Sequence, residues 1–462
     1  MGHSDPCQRL SDPDGIVKTA DTPAGTPGTG GYMGPLGLFQ VPYTKETFGF
    51  HWFNFYNAIC FQIIMGAPIV LLAKDLGANS VILGLIASFP PLMTVLQLPA
   101  ARYLARHSYR SFALMGWGLR SAFIGTSAVV PLLFFLSREV RLEILLGSLF
   151  FFNVLRGVAT AAFMPWLTGI VPAAVRGRFI SVDHTFINAG CLLAMLLSAL
   201  LMKGGAEPWR YSLVLWISVA CAVVSLLYLR GIPDARHGEF VAKSSAKVPL
   251  GDMIRETPFR NWVLFSLLFV FVGGGLGVFP VQYLRDQARF SPYLIYLLST
   301  GTFLAPMMIL QKVGKRVDRS GSIPLIRISL LAFALVLGIW FLMSAGVITP
   351  SWWLVLLLNV SGGAAMASFN MGNGHLWMSV VPESGKNHYF ALSTVIVSLV
   401  AGAVPMLWGW LLDSLGRLDL VAGPFHLRRH SIYFLGITLL CLASLLASRI
   451  LIQPRATSHG EK

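Results

Sequence analysis

The chain has 462 residues, of which 55% are hydrophobic and 12% charged, with a mean hydropathy of +0.68. A soluble domain carries roughly 25% charged residues, so the composition excludes one large soluble enzyme, a disordered protein and a fibrous repeat. The formal charge of +15 is scattered between apolar runs and not gathered on one face or arm, which argues against nucleic acid as a partner and for membrane lipid as the solvent.

Residues 1–45 are rich in Gly, Pro, Thr and Asp and cannot bury a core, so they read as a disordered tail. They lack the basic start and apolar stretch of a cleaved signal peptide. Apolar runs near the length that crosses a bilayer then follow at Phe48–Leu72, Val81–Leu104, Phe112–Leu136, Ile144–Val171, Phe179–Met202 and Tyr211–Leu229. After a polar linker over 231–259 come Trp262–Tyr283, Tyr293–Val313, Ile323–Val347, Trp352–Val381, Tyr389–Leu412 and Ile432–Ile452, and a second polar tail covers 454–462. The expected fold is an all-α integral membrane protein with twelve transmembrane helices in two pseudo-symmetric six-helix bundles, 46–230 and 260–453.

Lysine and arginine set the orientation. With the N-terminus inside, 22 of the 35 fall on the cytoplasmic side and 10 on the other, so both termini are expected in the cytoplasm. The expected location is the plasma membrane, which in a bacterium is the inner membrane. The halves repeat. Trp166 to Pro172, followed by Arg176 and Phe179, is echoed by Trp377 to Pro382, followed by Lys386 and Tyr389. Leu96-Gln97 is echoed by Leu310-Gln311. Parallel six-helix repeats around a site near the midplane are a known transporter plan.

The segment after the eighth span reads Gly314-Lys-Arg-Val-Asp318-Arg319-Ser-Gly321. It resembles the glycine-x-x-x-aspartate-arginine-x-glycine loop of the major facilitator superfamily, and the twelve spans, cytoplasmic ends and middle linker fit that family over 46–453. The copy after the second span has Ala101, Ala105 and Ser108 in place of its glycine, aspartate and glycine, although Arg106 and Arg110 remain. The resemblance implies a charge cluster at the cytoplasmic closure, built on Gly314, Asp318, Arg319, Gly321, Arg106 and Arg110. Asp183 either supplies the acid missing from the first copy or pairs locally with Arg176 or Arg178. The alternative for the loop is a solvated signal that only sets topology.

Charge deep in lipid is costly and usually faces a cavity or a partner. Arg156 lies near the middle of the fourth span, on one face with Asn153 and Thr160. In the resembled family this span lines the cavity together with the first, seventh and tenth. The first span carries His51, Asn54 and Gln62 in a narrow arc with Asn57 at its edge, and the tenth carries Asn359, Gly363, Met366, Asn370, Asn373 and Trp377 on one stripe. Arg156, Asn153, Thr160, Asn54, Asn57, Gln62, Asn370 and Asn373 are therefore the candidate substrate-binding residues. Interhelical hydrogen bonding is the competing reading for each amide. Arg120, about eight residues into the third span, either snorkels to the surface or pairs with Asp183. Gly273 to Gly277 weakens the seventh span as a rigid helix and marks either a moving gate or close packing.

No Asp or Glu lies in the middle third of any span, so a coupling proton is left to Asp183, His51 or Asp413, or coupling is absent. The five cysteines are far apart, and no P-loop, nucleophile turn or midplane carboxylate pair appears; no enzyme, cofactor or metal is expected. The expected function is a secondary active or facilitative transporter, moving a small polar solute by alternating access. Arg156 either anchors an anion or is satisfied by carbonyls and Asn153. The alternatives are efflux of lipophilic compounds and a non-transporting sensor or assembly factor.

Overall fold

The computed structural model describes residues 32–33, 40–41, 45–104, 107–171, 173–234, 250–382 and 386–452. In the first 45 residues, β1 (Tyr32–Met33) pairs antiparallel with β2 (Gln40–Val41). Apart from these four and Lys45, the tail read over 1–45 lies outside the described residues, as do 235–249 of the linker and the tail 454–462.

Residues 46–462 form one compact unit. Among the described residues eleven helices are long and apolar enough to cross a membrane: α1 (Thr47–Asp75), α2 (Ser80–Ala101), α3 (Tyr109–Leu132), α4 (Arg138–Leu167), α5 (Phe179–Met202), α6 (Pro208–Arg230), α8 (Pro292–Ile309), α9 (Ser322–Ser344), α10 (Trp352–Val380), α11 (His388–Ser414) and α12 (Arg429–Ile450). The remaining span, α7, is in two pieces, Thr257–Gly273 and Phe279–Asp286. The spans match the apolar runs to within a few residues at most ends. α1 bends at Gly66, two residues before Pro68, because proline removes one ladder bond and crowds the carbonyl four residues back.

Lipid gives helices no hydrophobic reason to pair, so close approach depends on small residues. The first turns of α2 lie against the end of α11: a Cβ built at Gly84 would fall 2.3 Å from the Pro405 oxygen, and one at Gly409 2.4 Å from the Ser80 oxygen. The repeat also shows in packing. Gly157 of α4 sits on the Met93 carbonyl of α2, and Gly363 of α10 sits on the Thr302 carbonyl of α8.

The seventh span was expected to be continuous over Trp262–Tyr283, and it is not. Gly274 leaves the helix at ψ 114°, and Gly275 adopts φ +85°, a conformation in which other residues are strained. A broken helix inside a membrane needs other donors for its freed carbonyls. The Trp408 indole of α11 donates to Phe271 O at 3.0 Å and the Tyr433 hydroxyl of α12 to Gly274 O at 3.3 Å. Gly275→Ala is expected to lower stability by about 1–3 kcal/mol through backbone strain, and a Cβ there would also meet the Phe279 ring at 2.2 Å. Gly277→Ala, with nothing within 4 Å, should change it little. Melting of the two purified variants checks the contrast; equal melting points would remove the strained turn from the account.

Three further segments differ from the sequence reading. Residues 314–320 were expected as loop, but the helix Gly301–Ser320 runs through them, and the turn comes at Gly321 with φ +76°, the usual role of a glycine after a helix end. The linker was read as polar chain to 259, yet Leu250–Arg255 is helical and Met253 packs with Phe259, Val381 and Tyr389. Between α11 and α12, β3 (Asp419–Ala422) and β4 (Phe425–Arg428) form an antiparallel hairpin.

Candidate functional site

Arg156 lies on the side of α4 away from the exposed Phe150 and Phe151, at about 100° per residue, so it does not face lipid. Its Nη2 donates to Pro90 O at 2.9 Å, and its guanidinium carbon stands 5.1 Å from the Phe61 ring centre. Pro90 and Pro91 both lie inside α2, which interrupts the helix ladder there. Arg156 Nε has no partner and no ion pair reaches the side chain among the described residues. Both alternatives for Arg156 are thus partly present: one carbonyl is held, while most of the donors remain free. The Thr160 hydroxyl donates to Arg156 O at 2.7 Å. Asn153 is fully buried; its Nδ2 donates to Leu149 O at 2.8 Å and lies 3.4 Å from Met65 Sδ. Asn153 thus packs inside the bundle.

On α1 the arc divides. Asn54 Nδ2 donates to both Asp183 carboxylate oxygens at 2.9 Å, and His51 Nδ1 lies 2.9 Å from Asp183 Oδ1. The His51 ring is fully buried between Phe179 and Phe186 of α5. Asp183 thus ties α5 to α1. The Arg176 and Arg178 side chains lie outside the described residues. Asn57 accepts a hydrogen bond from Arg120 Nη2. Arg120 therefore neither snorkels nor reaches Asp183: it is 1% exposed, with the Trp117 and Phe152 rings 5.7 and 5.2 Å from its guanidinium carbon. Gln62 is half-buried against Gly66.

On α10, Asn373 Oδ1 accepts from the Trp262 indole of α7 at 3.0 Å. The Trp262 and Trp377 rings stack at 5.5 Å with planes 9° apart, and the Trp377 indole donates to Ser393 Oγ of α11 at 3.1 Å. Asn359 donates to Leu298 O at 3.1 Å and belongs to helix packing. Asn370 is exposed, about 100°, 140° and 80° around the helix from the exposed Trp353, Leu357 and Met378 and in line with the exposed Trp352, at 100° per residue.

Of the residues assigned to the cytoplasmic closure, Arg106 lies outside the described residues, as do the side chains of Asp318 and Arg319; Gly314 is helical. The Arg110 amide donates to Asp234 Oδ1 at 3.2 Å. At the opposite end the described residues join the two halves. Lys74-Asp75 finishes α1 and Arg285-Asp286 finishes α7, and the two dipeptides exchange partners as a latch. Lys74 Nζ donates to Asp286 Oδ2 at 2.9 Å, and Arg285 Nη2 to Asp75 Oδ1 at 3.4 Å. Each acid also takes a donor from the last helix of its own half: the Tyr211 hydroxyl at 2.6 Å for Asp75, and Arg429 Nη2 at 3.0 Å for Asp286.

Asp413, at the end of α11, accepts from the Ser80 and Val81 amides at 3.0 and 2.9 Å. A carboxylate there satisfies orphan donors at the start of α2 and suits the positive end of its dipole. Gln282 adds a bond to Ser80 Oγ at 2.9 Å. Like the exchanged ion pairs, these bonds join the first six helices to the last six at this end.

Two groups went unread in the sequence. The latch had a signal, since a basic-acidic dipeptide recurs 211 residues apart, close to the offset of the other repeats. The contact of Arg120 with Asn57 had none, because it depends on how α3 rotates against α1. His426 and His430, four residues apart, do not converge: His426 lies in β4, while His430 is buried at the start of α12 beside Tyr283.

A family model described as Major Facilitator Superfamily matches residues 51–311. The fold is similar to a D-xylose–proton symporter at a TM-score of 0.66 and 16% identity, covering 88% of this chain and 97% of that one. It is also similar to the xylose transporter XylE from E. coli in a partially occluded inward-open conformation, at 0.64 and 14%, covering 90% and 100%. The nucleoside transporter NupG matches at 0.59 and 14%, covering 88% and 99%. Comparison with curated protein sequences returns no match. A family match over more than half the chain, together with the twelve-helix fold and its internal repeat, means that the chain belongs to the major facilitator superfamily, as a multi-pass membrane transporter and not an enzyme.

Proposed function

We propose that the protein moves a small, polar, anionic solute by alternating access, the halves 46–230 and 260–453 rocking about a site formed by Asn57, Gln62, Arg156, Asn370 and Asn373. The observation that carries this reading is Arg156, a guanidinium turned away from lipid with most of its donors free and no acid paired to it among the described residues. Arginine keeps its charge at any usable pH and binds carboxylate or phosphate through two parallel hydrogen bonds. The latch supports a two-state bundle: its bonds join side chains from separate halves and can break together. With the termini in the cytoplasm, the latched end is the external one, and it is closed in this conformer.

The test is a thermal-shift screen of the purified chain against carboxylates, phosphates, sugars, amino acids and lipophilic drugs. Stabilisation by an anionic class, lost in Arg156→Ala, is the expected outcome. Stabilisation by lipophilic drugs alone would favour efflux of such compounds instead.

A further inference from the structure

Two amides at this site have their oxygens committed to groups that can only donate. Asn57 Oδ1 accepts from the Arg120 guanidinium, and Asn373 Oδ1 accepts from the Trp262 indole. Neither a guanidinium nor an indole N–H can accept a hydrogen bond, so turning either amide over would set donor against donor. Their Nδ2 groups have no partner among the described residues and are not fully buried. Asn57 lies one helical turn from Phe61, the ring on which Arg156 rests, so Asn57 and the seat of Arg156 share one stretch of α1. Gln62 and Asn370 have no fixed hydrogen-bond partner among the described residues and can turn either way.

Arg120 is too buried to meet a solute, and Asn57 is its one hydrogen-bond partner among the described residues. We infer that Arg120 is a positioning residue, which locks the Asn57 amide with its N–H pair away from the guanidinium, so that the fixed groups of the site, Asn57 and Asn373, offer donors only and suit a fully ionised carboxylate or phosphate. This rests on the reading of Arg156 as anchor and narrows it. An ammonium group has only donors, so each N–H facing a fixed donor goes unpaired, whereas a sugar hydroxyl accepts from the donor but brings no charge to Arg156. The fixed donors and the Arg156 charge therefore favour an anion, and give a neutral polyol no charge to pair with.

Asn57→Asp separates this role from simple packing. Aspartate keeps an acceptor for Arg120, so the contact inside the bundle survives, but the two free N–H donors give way to a carboxylate oxygen. Uptake of acetate, succinate, inorganic phosphate and glycerol into proteoliposomes is compared for the full chain, Asn57→Asp, Arg120→Gln and Arg156→Ala, with melting recorded for each. Asn57→Asp should melt no lower than the parent and lose anion uptake by about 100-fold, as placing like charges together costs several kcal/mol. Arg120→Gln can accept as well as donate, so it frees the Asn57 amide to turn. It should lower the ratio of anion to glycerol uptake by about tenfold, whatever it does to stability. Full anion uptake by Asn57→Asp while Arg156→Ala is inactive overturns the positioning role and leaves the anchor. Anion uptake that survives both changes, or is absent from the parent chain, overturns both.

Discussion

Asp286→Asn is expected to loosen the end of the bundle where α1 and α7 finish. Asp286 is the hub of the latch, holding Lys74 from the other half at 2.9 Å and Arg429 from its own at 3.0 Å. Rocking of the halves as proposed would break only the first of these, so the variant is expected to act on the balance of conformers more than on folding. The pair is partly exposed, with side chains about one-fifth accessible, and its worth is about 1 kcal/mol rather than the larger value of a dry pair. Asp413→Asn removes a charge-assisted cap from α2, worth a further 1 kcal/mol or so. The double variant should therefore shift the ratio of open to closed by about 5–30-fold. Spin labels at Phe135 and Val347, both exposed in loops at this end, report it as a growing population at longer distance. An unchanged distance distribution in the double variant would mean that the latch does not gate.

Arg156→Ala is expected to abolish transport of an anion with little change in melting. The folded state loses one bond to the Pro90 carbonyl and a stack on Phe61, together about 1–2 kcal/mol, and it sheds an uncompensated charge. A bound carboxylate or phosphate loses its only charged partner, and removing one member of such a pair costs about 2–5 kcal/mol, or roughly 30- to 5,000-fold in affinity. Arg156→Lys keeps the charge without the planar fork and should fall between the two. The checks are initial uptake rates alongside melting of the same preparations. If Arg156→Ala transports normally, the charge belongs to packing, and Gln62, Asn370 and Asn373 become the next places to look.

The spans were legible because crossing lipid demands long apolar runs, and the repeat was legible because its offset is nearly constant. The break in α7 was foreshadowed by Gly273 to Gly277. Its donors, Trp408 and Tyr433, were not, since they arrive from α11 and α12. Of the stripe on α1, Asn54 looked like a ligand and instead holds Asp183, a contact 129 residues away in sequence that periodicity cannot supply. Arg120 lay in a span with no clear polar face, and only the packing of α3 on α1 joins it to Asn57. Closure was expected at Asp318 because the family loop is a local motif. The latch at Asp75, Asp286 and Asp413 is assembled from chain segments more than 200 residues apart, and its short charged pieces resemble the ends of any membrane span.

Solute uptake by the purified chain in proteoliposomes, run with a panel of mono- and dicarboxylates, phosphate esters, neutral sugars and organic cations, decides whether the protein carries anions. Saturable uptake of an anionic class is expected, absent from empty vesicles and competed by other anions but not by sugars or cations. Saturable uptake confined to neutral or cationic solutes would contradict it, as would no flux for any class.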